Sequence, residues 1–291
     1  MEFSASLFLN AIIAGLLLGG FYAAVSVGIS ISFGMLDVVN IAHPGFIILG
    51  AYIAYIVNSV FGVDPILVAL GLSPLFFLLG WALYRIYYLC FEKRGQESLR
   101  GLAFFFGILF IIEVALILTF GVDYRTVQSA YAETTLRWGE LDFPLRLVVP
   151  FAVSLMMVGG IQLLLTRTFF GRAVLAVAQD PLALRLMGVD PIRIKTLAFA
   201  LSIATAGVAG SFLIVIQPVE PSIGREYIGL AFAVCVLGGM GSLPGTLIGA
   251  FVLGLAESFT ATFFGPSWAP AVSFGLLLLA LAFRPSGLLG R

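Results

Sequence analysis

Residues 7–33 read LFLNAIIAGLLLGGFYAAVSVGISISF, twenty-seven positions without a charge. A helix rises about 1.5 Å per residue, so roughly 20 apolar residues cross the hydrocarbon of a bilayer. Further apolar stretches lie near 41–60, 65–89, 102–121, 145–166, 192–216, 227–241, 243–264 and 268–283. The pattern predicts an all-α polytopic membrane protein, one domain over 1–291, with a bundle of about eight to ten transmembrane helices, nine on this count. Two short spans meet at Gly238-Gly239-Met240-Gly241-Ser242-Leu243-Pro244-Gly245, and that region also reads as a re-entrant hairpin.

Composition agrees. The chain is 61% hydrophobic and 10% charged, where a soluble domain carries about 25% charged residues. Fifteen basic residues balance fifteen acidic ones, which excludes the basic excess a nucleic-acid binder needs. Cys90 and Cys235 both sit in apolar runs and support neither a disulfide framework nor a metal site. Glu2 is the only early charge, so the first span reads as a retained helix rather than a cleaved signal.

Basic residues set the orientation. Eleven of the fifteen fall in three segments: Arg85, Lys93, Arg94 and Arg100; Arg167, Arg172, Arg185, Arg193 and Lys195; and Arg284 and Arg291. With nine spans these segments share one side, which predicts a cytoplasmic C-terminus and an N-terminus outside. The loop at 122–144 becomes the longest outer segment.

Gly15, Gly19 and Ala23 recur every four residues, as do Gly241, Gly245 and Gly249; Ala206, Gly207 and Gly210 give a third small-residue face. Such faces let helix backbones approach closely in lipid. Residues Ala11–Ala24 and Ser202–Val215 look alike, which hints at an internal duplication.

The inner segment 167–195 is punctuated rather than loose. A helix fits from about Arg172 to Gln179. Asp180 then offers an N-cap with Pro181 in the first turn, Gly188 a left-handed stop, and Asp190-Pro191 a second cap. Leu182, Leu186 and Val189, with Ala183 and Met187, give the short helix an apolar side. That side suits either lipid or a groove on a cytoplasmic protein. No G-x-x-x-x-G-K-[ST] loop occurs, so nucleotide hydrolysis would fall to another chain.

Four segments resemble the permease subunits of branched-chain amino-acid ABC importers (LivH-type). They are Phe33-Gly34-Met35 to Asn40-Ile41-Ala42-His43 with Leu49-Gly50-Ala51-Tyr52; Gly171-Arg172-Ala173 through Gln179-Asp180 to Leu186-Met187-Gly188-Val189 and Arg193; Val236 to Ser242; and Phe283-Arg284-Pro285-Ser286-Gly287-Leu288. Pro44 stands where the family usually has glycine. The resemblance implies a non-enzymatic permease in the cell inner membrane and a second, homologous or identical permease subunit. It also implies two cytoplasmic ATPase subunits that carry the ATP and Mg, and an extracytoplasmic substrate-binding protein. This chain itself would bind no cofactor and hold no catalytic residue. Coupling to the ATPases falls on Arg172, Ala176, Gln179, Asp180, Leu182, Leu186, Met187, Gly188 and Arg193. Urea, short amides and other amino acids are alternative cargoes, and an ion-coupled secondary transporter is the rival class.

Candidates for the path are few. Glu113 and Glu257 lie mid-span, where a carboxylate costs on the order of 2.5–3.5 kcal/mol. Each is either a site or else protonated or paired with hydroxyls or backbone within the bundle, for instance Glu257 near Ser258 and Thr260. Asn40 and His43 sit at the inner end of the second span, where Pro44 is expected to disfavour helix at His43 and free backbone carbonyls. Gly239, Gly241 and Ser242 of the glycine-rich turn complete the set.

Overall fold

The computed structural model describes residues 5–95, 97–284 and 286–290; Glu2, Pro285 and Arg291 lie outside them. The apolar stretches form α1 (Ala5–Ser32), α2 (His43–Phe61), α3 (Pro65–Cys90), α4 (Glu97–Phe120), α5 (Leu145–Arg167), α8 (Pro191–Ile216), α9 (Gly224–Gly238), α10 (Leu243–Phe263) and α11 (Ala269–Phe283). Two short helices, α6 (Phe169–Gln179) and α7 (Pro181–Leu186), make an elbow between α5 and α8. At the opposite end β1 (Thr135–Trp138) and β2 (Leu141–Pro144) form an antiparallel hairpin, Arg137 opposite Asp142. The all-α membrane bundle stands.

Among the described residues eight helices are long and apolar enough to span a membrane, against the nine expected. α11 reaches that length with the 3-10 turn before it, as Pro266–Phe283, and the exception is α9, with 15 residues. At 1.5 Å per residue it covers about 22 Å. The rest of that crossing is residues 217–223, an extended stretch and a single 3-10 turn at Pro221–Ile223. Proline at 218 and 221 keeps this stretch from helix.

The packing has an exchanged symmetry. α1 packs most extensively on α10, and α8 on α3. α1 also touches α9, and α8 touches α2. The chain thus holds two halves, α1–α4 and α8–α11, whose long first helices cross to the other half's third helix. α1 and α8 run in opposite directions, as inverted transporter repeats do. They are the helices in which residues 11–24 and 202–215 looked alike.

Small residues make these crossings. A Cβ at Gly15 would lie 2.8 Å from the Leu255 backbone, and one at Gly19 2.8 Å from that of Phe251. A Cβ at Gly50 would lie 2.6 Å from the Gly207 carbonyl, and one at Gly210 would run into the Ile47 carbonyl. Lipid gives helices no hydrophobic reason to associate, so this backbone contact supplies it. The second face differs from expectation: Gly241 packs in a loop against Gly34, while Gly245 and Gly249 meet α9 at Gly238.

Loop 122–144 is strapped across the hairpin end. Asn10 bonds both the Glu140 carbonyl (3.0 Å) and the Asp142 amide (2.9 Å). Asn58 Nδ2 donates to the Gln128 carbonyl at 3.3 Å, and the Tyr131 hydroxyl to Asp64 at 3.0 Å. Burial first, then the Asp64 carboxylate, pushes the Tyr131 phenol up.

Candidate functional site: elbow, broken helices and buried carboxylates

The elbow forms by local capping. Thr168 Oγ1 accepts from the Gly171 amide at 3.1 Å, so α6 begins at Phe169, three residues before the expected Arg172. Asp180 Oδ1 accepts from the Leu182 and Ala183 amides at 2.8 and 3.0 Å, and Pro181 opens α7. Gly188 then takes φ +82°, which an L side chain resists, and stops the helix. Asp190 caps α8 through the Ile192 amide at 3.0 Å and pairs with Arg193 at 3.3 Å.

Burial separates the faces of this elbow. Gly171, Ala173, Val174 and Val177 fix α6 to the bundle, with Ala176 half-buried. Leu184 fixes α7, and Val189 is half-buried. Leu182, Leu186 and Met187 are 66%, 82% and 80% exposed, so three large apolar side chains point away from the fold. Arg172, Gln179 and Asp180 share that exposure. Beyond the elbow, Lys195 pairs with Glu92 at 2.7 Å, tying the start of α8 to the 3-10 turn that follows α3.

Beside the elbow lies a cleft of about 540 Å³. Gln179 of α6 faces Gly241 and Ser242 across it, with Gly34 and Gly290 on the rim. Gly239 and Gly241 have φ of +102° and +79°. The Leu288 and Leu289 amides donate to the Leu237 and Gly238 carbonyls at 2.8 and 3.0 Å, closing the end of α9. The elbow and the glycine turn therefore share one end of the molecule.

Asn40 and His43 lie deeper. His43 is the first residue of α2, contrary to the expectation that Pro44 would keep it out of helix; a proline in the first turn loses no hydrogen bond. His43 Nε2 donates to the Val25 carbonyl at 3.2 Å. Val25 lies seven residues before the end of α1, so α2 starts about 10 Å inside the bundle. The chain reaches it through residues 33–42, where Asp37 takes φ +57°. Asn40 is 1% exposed, and neither side-chain polar atom of Asn40, nor His43 Nδ1, has a partner among the described residues. α9 begins against the same place, where a Cβ on Gly224 would meet Ile48 at 3.0 Å and the Pro44 carbonyl at 3.5 Å. Two broken helices thus meet start to start.

A family model for the permease component of branched-chain amino acid transport systems matches residues 11–281. The chain belongs to this family. It is 29% identical to the high-affinity branched-chain amino acid transport system permease protein BraD of Pseudomonas aeruginosa, covering 98% of this chain and 96% of that protein. It is 28% identical to LivH of Escherichia coli strain K12 over the same shares. It is 27% identical to LivM of that strain over 92% of this chain and 67% of that protein. No solved structure matches.

In this member of the family the two buried carboxylates have different surroundings. Glu113 pairs with Arg225 at 3.0 Å, across from α4 to the first turn of α9. Glu257 accepts from the Tyr22 hydroxyl and, at 2.5 Å, from Ser273. The expected neighbours are otherwise engaged: Ser258 donates to the Ala11 carbonyl at 2.7 Å and Thr260 to that of Ala256 at 2.8 Å. Helix geometry turns Ser258, at i+1, to another face, and Thr260, at i+3, spends its hydroxyl on its own helix's backbone. Tyr22, Ser273 and Arg225 carried no sequence signal, since each partner comes from a different helix. The candidates for the path therefore occupy three places: the glycine turn, the α2–α9 meeting point, and the two carboxylates.

Proposed function

We propose that this chain is the membrane-spanning permease subunit of an ATP-binding cassette importer for branched-chain amino acids in the cell inner membrane. The elbow carries this reading: a rigid, twice-capped turn that leaves Leu182, Leu186 and Met187 bare at one end of the bundle. Bare apolar side chains on a stiff helix suit a groove in another protein. A loose loop would absorb the motion of a partner, whereas caps at Asp180 and Asp190 transmit it. α8 starts directly from the elbow and packs on α1, α2 and α3, so a push on α7 reaches the core of the first half.

The elbow end then faces the cytoplasm, as the basic residues favour, and the N-terminus lies outside. Two ATPase subunits bind ATP and Mg there, a second permease subunit completes the path, and a binding protein docks at the hairpin end. Transport proceeds by alternating access. The path holds cargo weakly, because the outer protein supplies affinity.

The test is Leu186→Glu together with Met187→Glu, both on exposed positions. Copurification with the ATPase is expected to be lost and ATP-dependent leucine uptake to fall at least tenfold. Intact copurification and uptake would overturn the coupling role. Uptake that survives ATP depletion would point instead to the ion-coupled class, and urea uptake to another cargo.

A further inference from the structure

Between α1, α9, α10 and α11, toward the hairpin end, lies a cavity of about 370 Å³, within the range of small-molecule pockets. Glu257 stands in its wall at 7% exposure. Its two oxygens accept from Ser273 and Tyr22, both hydroxyls. No Lys, Arg or His pairs with it among the described residues. Glu113, the other buried carboxylate, has Arg225.

Neutral donors orient a carboxylate without cancelling its charge, and an ionised oxygen still has lone pairs to offer. Across the same cavity, Gln217 Nε2 donates to the Tyr227 hydroxyl at 3.0 Å. That leaves the Tyr227 proton without an acceptor among the described residues. Leu230 and Phe274 line the space between. Glu226, exposed at the rim, adds a second negative charge at the entrance.

A wall that lacks one positive charge, a free hydroxyl donor opposite and an apolar surface between them define a ligand. We infer that this cavity is a passing site for an aliphatic amino acid, taking the ammonium group on Glu257 and the carboxylate on the Tyr227 hydroxyl. The inference rests on the importer reading above and names where its cargo pauses.

A diazirine analogue of leucine, irradiated on the full chain purified with its accompanying subunits, tests it. Label is expected within residues 226–230 or 269–274. Excess leucine should suppress it at least tenfold, and the 2-hydroxy acid of the same skeleton, which lacks the ammonium, less than twofold. Glu257→Gln should lower labelling at least tenfold, and Tyr227→Phe several-fold. Should Glu257→Gln fail to fold, the two competitors on the unaltered chain decide alone. Label elsewhere, or equal suppression by the hydroxy acid, overturns the cavity. Leucine uptake in cells with and without the chain is measured beside it. Uptake that depends on the chain without labelling here sinks the cavity alone, whereas uptake that does not depend on the chain sinks the importer reading.

Discussion

The two halves of the molecule break their second crossing differently. In the first half, residues 33–42 descend beside α1 and leave Asn40 and one nitrogen of His43 unpaired at full burial. In the second half, the corresponding stretch is stitched down. Val219 and Arg125 exchange backbone bonds at 2.8 and 2.9 Å, Ser222 bonds Glu220 at 2.6 Å, Gln217 bonds Tyr227, and Arg225 holds Glu113. A buried polar atom without a partner costs about 1–3 kcal/mol. The first break thus presents open buried donors and acceptors, and the second anchors the loop it sits beneath. Of two related breaks, the 33–42 stretch is the one held by its backbone while the buried side chains of Asn40 and His43 keep open polar atoms.

Substitutions can break or sharpen that contrast. The largest effect is expected from Gly210→Val, whose added carbons run into the Ile47 carbonyl where α2 rests on α8. Overpacking against backbone should cost about 3 kcal/mol or more, read as loss of monodisperse protein in detergent. Arg225→Met comes next. It strips Glu113 of its partner, but the arginine is 57% exposed, so screening holds the loss to about 1–2 kcal/mol. Adding Glu113→Gln should restore most of the melting temperature. The smallest pair differ in sign: Gln217→Leu leaves the Tyr227 hydroxyl oxygen unsatisfied and should lower stability by about 1 kcal/mol, whereas Asn40→Leu removes unpaired atoms and should raise it by a similar amount. Leucine uptake should nevertheless fall in Asn40→Leu. A stabilised variant with full uptake would show that the first break is static.

Local chemistry was legible in the chain. Apolar runs gave the long helices to within a few residues, and caps such as Asp180-Pro181 and Asp190-Pro191 act over three residues, so they can be read without a fold. The stretch 217–223 was not. Its Gln217, Glu220 and two prolines carry no apolar run, yet Val219 is fully buried, its backbone paired with Arg125 almost a hundred residues earlier. Glu257 failed for the same reason: Tyr22 lies 235 residues away. The coupling candidates lie on one elbow because they are contiguous in the chain. The path candidates scatter because their neighbours are set by how the halves cross.

That crossing constrains how the molecule is made. α1 is threaded into the bilayer early, glycine-studded and serine-bearing, while α10, the partner for its Gly15 and Gly19, is more than two hundred residues from synthesis. Until then its narrow flank faces acyl chains that cannot reach its backbone. α3 waits likewise for α8. Neither half can finish its own interior, so assembly is a clasp closed late, and an error in the last third of translation is felt in the first.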